Sequence, residues 1–263
     1  MTIFRSTAAC LAGLVAVGAA HAQAPLYTNG PFVTHPGAHV SGADVSLTQD
    51  VTYPGYNARG ITAGPDWRLA DDFVVPTGKI WTITGARLFA FQPNVTGAFT
   101  DARVIIWRGV PDGGASVKVF DGTVANVLAG STPGAYRTAE STQMTGPFTD
   151  TSRRVHTLDI AIPETSLVGG TYYVDWQLTG AQAGLVYTPP VTRLGRPYTS
   201  FNGFARQKCP PTPTNDDCPV NSWRLFEIAD QYLVDLPFEL AGTSFDDSIF
   251  VDGFDPPPED DDP

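Results

Sequence analysis

Apolar and polar positions alternate with a period of two through most of this chain, in short runs bounded by Gly, Pro, Asn and Asp. From Asp66 onward the runs are Trp67–Val75, Lys79–Thr84, Arg87–Phe91, Arg103–Trp107, Ser116–Phe120, Tyr136–Thr138, Val155–Ile162, Thr171–Leu178, Trp223–Glu227 and Tyr232–Leu240. Pro76-Thr77-Gly78, Pro111-Asp112-Gly113-Gly114 and Gly169-Gly170 separate them as turn signals. No stretch holds a helical period. The pattern predicts an all-β fold, an antiparallel β-sandwich or barrel of about ten strands.

Parity along each run separates core from surface. Tyr172, Val174, Trp176 and Leu178 share one face, leaving Tyr173, Asp175 and Gln177 on the other. Leu158, Ile160 and Ile162 share a face with His156, and Tyr232, Val234, Leu236 and Phe238 line up against Leu233, Asp235 and Pro237. These are strands with one dry and one wet face.

Before Asp66 the pattern weakens. Residues 23–65 are rich in Gly, Pro, Asn and Thr and read as an irregular arm with one or two edge strands. Residues 1–22 carry Arg5, an apolar run from Ala8 to Ala20 and the small-x-small triplet Ala20-His21-Ala22. They read as a secretory signal peptide, too short for a bilayer span of about 20 apolar residues. No later run is long and apolar enough for a transmembrane helix. The main β-sandwich domain is then 23–243, followed by an acidic, Pro-rich tail at 244–263.

Composition agrees with many turns. Gly (26) and Pro (23) make up nearly a fifth of the 263 residues, which excludes a helical bundle or coiled coil. Hydrophobic residues at 42% exclude global disorder. The net charge of −11 is mainly a property of the tail, since 246–262 holds eight acids and no base. That density of like charge, with Pro256-Pro257-Pro258, predicts a disordered end. The body from Gln23 to Phe245 carries 15 bases against 19 acids and offers no basic stripe for nucleic acid. Cys209 and Cys218 are the two cysteines outside the signal segment, with eight residues between them. In an exported chain they predict a disulfide around a surface loop, the alternative being a two-Cys metal site.

Several segments carry a resemblance. Leu26-Tyr27-x-Asn29-Gly30-Pro31, Ala70-Asp71-Asp72-Phe73-Val74-Val75-Pro76-x-Gly78, Val104-x-Ile106-Trp107 and Gly170-Thr171-Tyr172-Tyr173-x-Asp175-Trp176-Gln177 occur in that order, with Pro189-Pro190-Val191-Thr192 and Leu236-Pro237-Phe238. Over nearly all of its length beyond residue 22, the chain resembles a set of uncharacterised secreted bacterial β-sandwich proteins. Ile249-Phe250-x-Asp252-Gly253-Phe254-Asp255 is similar to a C-terminal tail of exported proteins in Gram-negative bacteria related to Xanthomonas and Lysobacter. The resemblance implies a jelly-roll-like domain and export, to the periplasm, the cell surface or the medium. It implies no activity and no functional residues. The tail's apolar cluster suggests docking on the domain or on a sorting or partner protein.

Candidate chemistry is sparse. Asp71-Asp72 lies inside an apolar strand, so one of the two carboxylates points inward and has to be paired or ligated. The readings are a salt bridge or cap within the sandwich, a Ca²⁺ site, and a catalytic carboxylate. His35 and His39 are separated by Pro36-Gly37, which does not place them together as helical metal ligands, and His156 shares parity with the core. There is no Gly-x-Ser-x-Gly elbow and no Gly-rich phosphate loop. Tyr173, Asp175 and Gln177 form an outward aromatic-polar stripe, and Tyr187, Tyr198, Phe201 and Phe204 fall in a long Gly/Pro-rich connection. Such side chains stack on sugar rings and bind hydroxyls, or cover the core's edge. The expectation is a secreted, non-catalytic module binding a glycan or another surface component. The alternatives are a hydrolase using Asp71 or Asp72 with a second carboxylate, and a purely structural surface protein.

Overall fold

A computed structural model describes residues 24–48, 61–64, 66–139, 145–194, 202–212, 220–228 and 232–247. The expected signal segment, Tyr198, Phe201, Cys218 and the tail beyond 247 lie outside them. The described residues form strands β1 (Tyr27–Thr28), β2 (Val45–Thr48), β3 (Ile61–Gly64), β4 (Arg68–Ala90), β5 (Asp101–Arg108), β6 (Val117–Asp121), β7 (Leu128–Ala139), β8 (Arg154–Thr179), β9 (Val186–Thr188), β10 (Arg206–Lys208), β11 (Trp223–Leu225), β12 (Glu227–Ile228), β13 (Tyr232–Leu233) and β14 (Phe238–Asp246). The fold is all-β, a β-sandwich whose pairings are antiparallel except for the parallel pair β2–β7.

Two long strands, β4 of 23 residues and β8 of 26, organise the sandwich. They pair with each other over nearly their whole length. Three of the predicted runs thus merge into β4, and two into β8. The turn signals at Pro76-Thr77-Gly78 and Gly169-Gly170 do not reverse the chain. They face each other as a bulge, with the register jumping from Val75↔Gly170 to Ile80↔Val168. Gly78 has a φ of 77°, and a Cβ at Gly169 would lie 3.0 Å from Cα of Thr77. Glycine is needed for that left-handed turn and that close approach.

The bulge divides the ten-stranded sheet into two leaves. Leaf I runs β11-β10-β4-β8-β5-β6 and uses the first part of β4 and the last part of β8. Leaf II runs β1-β14-β4-β8-β7-β2 and uses the remaining parts. The leaves pack face to face, because Phe73 and Trp176 of leaf I both contact the ring of Phe238 in leaf II, at centroid distances of 6.3 Å. The core draws Tyr172, Val174, Trp176 and Leu178 from leaf I and Leu158, Ile160, Ile162 and Phe238 from leaf II, as the parity predicts. Each large side chain removed from water stabilises the fold by about 1.5–3 kcal/mol.

One predicted boundary needs correction. Position 243 falls inside β14, where Ser244, Phe245 and Asp246 still pair with Trp81, Ile80 and Lys79. An ion pair from Lys79 to Asp246 continues the contact. The irregular arm holds three short strands, β1, β2 and β3, rather than one or two.

Candidate functional site

The outer face of leaf I gathers much of the sequence-predicted chemistry. Strand pairing sets Tyr173 beside Asp72 and Trp107, and Asp175 beside Ala70 and Ile105. Ala70, Ile105, Trp107 and Tyr173 form an apolar cluster separate from the main core, with Trp223 packed against it. Tyr173, Asp175 and Gln177 do share this face, but the stripe is not open. Tyr173 is 3% exposed and Asp175 1%, leaving Gln177 half-buried. Long cationic side chains of neighbouring strands cover them, an arrangement that alternation within one strand cannot reveal.

Asp175 is the hub of this cover. Arg68 Nε donates to its Oδ1 at 2.7 Å, and Trp107 Nε1 donates to its Oδ2 at 3.0 Å. Burial raises the carboxyl above the ordinary aspartate value, while Arg68 and Trp107 pull it back. Each aromatic ring of the face carries a cation: Arg206 5.9 Å from the Tyr173 centroid, Lys118 5.3 Å from Trp107, and Lys208 5.9 Å from Trp223. Trp223 and Lys208 both donate to Oδ2 of Asp112, at 3.0 and 2.8 Å. Trp223 keeps part of its surface in solvent.

Asp71 and Asp72 point to opposite sides of β4. Asp71, 0% exposed, turns inward among core neighbours. Its Oδ2 accepts from Asn29 Nδ2 at 2.7 Å and from the Leu236 backbone N–H at 2.6 Å, and its Oδ1 accepts from the Asp72 N–H at 2.9 Å. Asn29 is held in turn by the Tyr27 hydroxyl at 2.7 Å. Asp72 lies on the outer side and accepts from Asn202 Nδ2 at 2.8 Å. Asp235, expected on a wet face, is also 0% exposed and accepts from the Gly203 N–H at 2.9 Å. Burial, first of all, pushes Asp71 well above the usual carboxylate range, and the charges of Asp235 and Asp72 add to it. Burial likewise raises Asp72. Of the expected alternatives, the observed contacts are those of a cap within the sandwich. Among the described residues no group of three His, Cys, Asp or Glu side chains is placed to hold a metal ion.

The remaining candidates are dispersed. Tyr187 lies in β9, stacked on Phe91 at 5.6 Å beside Phe32, Phe89 and Val155, away from the Tyr173 face. His156 is 3% exposed, its Nδ1 3.0 Å from Ser131 Oγ and its ring edge-on to Phe99. Burial and then Arg154 lower its pKa, which keeps it neutral in the core. His35 and His39 pack against Phe148 and Tyr136 respectively. Cys209 is buried.

Pairwise reading along the chain also missed the buried Arg137 and the partners Arg68, Asn29 and Asn202. Each acts on residues remote in sequence, and no local spacing marks them. No family model matches the chain, and no curated protein is significantly similar to it. Among the described residues no helix is long and apolar enough to cross a membrane.

Proposed function

We propose that the chain is an exported, non-catalytic β-sandwich module, jelly-roll-like in its topology, that binds a glycan or another surface component through the outer face of leaf I. The signal-like segment 1–22 and the cysteine-bounded loop support export. The carrying observation is the division of labour among side chains. Asp71, Asp72 and Asp175 are buried and spend their oxygens on internal N–H donors, so they serve structure rather than proton transfer to a substrate. At the rim of the same leaf, Trp223, Lys208 and Asp112 combine a partly exposed indole with a cation and a carboxylate. That mixture suits a ligand with an apolar ring face and many hydroxyls.

A glycan array run beside a panel of glycoside and ester substrates tests the proposal. Binding without turnover is the expected result. Turnover abolished by Asp71→Asn or Asp72→Asn would overturn it in favour of a hydrolase.

A further inference from the structure

Arg137 stands apart from the other buried charges. It lies in β7, is 1% exposed, and among the described residues has no carboxylate within ion-pairing distance. Its Nη1 donates to two neutral hydroxyls, Ser46 Oγ at 2.7 Å and Thr192 Oγ1 at 2.9 Å. Its Nε–H is buried with no acceptor. Burial, followed by the like charge of Arg153, lowers its pKa to about 9. A guanidinium in that state is costly unless something compensates it, and its planar fork of donors is shaped for a carboxylate.

The surroundings are built rather than accidental. Pairing of β2 with β7 sets Ser46 against Arg137, and parity places Thr48, whose buried hydroxyl also lacks a partner, on the same strand face. The Thr192 N–H donates to the carbonyl of Pro31, which fixes the overlying segment. Two residues after Arg153, which immediately precedes β8, Val155 joins the aromatic group of Phe32, Phe89, Phe91 and the half-buried Tyr187. A polar donor set with an unspent guanidinium edge thus lies near a buried aromatic group of which Phe32 and Tyr187 keep part of their surface in solvent.

We propose that Arg137, Ser46, Thr48 and Thr192 form a second ligand site, on the outer face of leaf II, for the carboxylate of an acidic sugar. The uronate carboxylate takes the Nε edge of Arg137, the two hydroxyls hold the guanidinium plane, and the sugar ring meets the solvent-facing parts of Phe32 and Tyr187. This rests on the glycan-binding function proposed above and names its ligand class. The competing compensation is an acid of the chain itself, since Asp50 and Glu140 follow β2 and β7 closely in sequence.

The test is thermal unfolding of the full chain lacking residues 1–22, at constant ionic strength, with glucuronate, glucose or phosphate, for the wild type and Arg137→Met. Saturable stabilisation of the wild type by glucuronate, well beyond that by glucose or phosphate, is expected. Arg137→Met should be at least as stable without ligand and should ignore glucuronate. A variant melting many degrees lower, with a wild type blind to glucuronate, would assign Arg137 an internal acid and overturn the site. An equal glucuronate response in both would place the ligand elsewhere and overturn it too. If Arg137→Met does not fold, Ser46→Ala with Thr192→Val keeps the charge and should weaken the glucuronate midpoint several-fold. Neutral glycans bound on an array with no uronate preference would remove this site while leaving the function proposed above intact.

Discussion

The backbone N–H of Leu236 donates to Oδ2 of Asp71 at 2.6 Å across 165 positions of sequence. Asp71 belongs to leaf I, and Leu236 stands just before β14 in leaf II, so one carboxylate ties the two leaves at the core. Asn29 adds the N-terminal arm to the same oxygen. A single acidic side chain therefore registers three distant segments against one another.

That clasp predicts a definite dependence on pH. Burial holds Asp71 above its ordinary value, so from about pH 4 upward to its own raised value the folded protein holds a proton that the unfolded chain releases. Stability from this group accordingly rises as pH falls through the window. Asp71→Asn removes the titration and sets an amide N–H₂ against the Asp72 N–H, a cost of about 1–3 kcal/mol. In melts followed by circular dichroism, the wild type should gain on the variant as pH drops. A gap that stays constant or narrows with acid would contradict the assignment.

Asp175 offers a sharper stability test. Arg68→Ala leaves that carboxylate buried with the Trp107 indole and without its ion-pair partner, only the charge of Lys208 still acting on it, at a cost of roughly 3–5 kcal/mol. In a domain of this size that is a fall in Tm of about 6–20 °C. Arg87→Ala removes the exposed pairs with Asp159 and Glu239 and should cost under about 1 kcal/mol. Equal effects of the two substitutions would mean that burial does not govern the Arg68 pair.

Truncation separates the sandwich from its tail. Because β14 extends to Asp246, a chain ending at Asp247 keeps every strand pairing of the described residues and should melt within about 2 °C of the full chain. A fall of several degrees would mean that Ile249, Phe250 or Phe254 completes the core.

The cysteine loop is checked by mass. Exported protein should be two hydrogens lighter than its reduced form, with Cys209 joined to Cys218. Chain-entropy arithmetic gives such a small ring about 2.5 kcal/mol, so reduction should loosen the loop and leave the sandwich folded. Free thiols in both would refute the bridge.

How much of this was legible in the sequence depended on distance along the chain. Alternation is local, so the faces of Thr171–Leu178 and Val155–Ile162 could be read directly. Pro76-Thr77-Gly78 could not be read correctly, because a bulge and a turn use the same residues and differ only in what lies opposite. Alternation misplaces Asp235 for a related reason. Its neighbours alternate as a half-wet strand does, but the backbone of Gly203 covers it. Alternation puts Tyr173 and Asp175 on the same face that the strand pairing gives them, yet Arg68 and Arg206, remote in sequence, shield them. Arg137 carried no signal at all, since an arginine in a strand reads as surface until its leaf and cover are known.

The most direct test of the proposed function is calorimetric titration of an array-positive glycan into the wild type and Trp223→Ala. Loss of the Trp223 indole should weaken binding at least several-fold while leaving the fold intact, because Trp223 is half-buried at the rim of leaf I. Unchanged affinity in Trp223→Ala, or hydrolysis of the glycan during the titration, would contradict a non-catalytic binding face on leaf I.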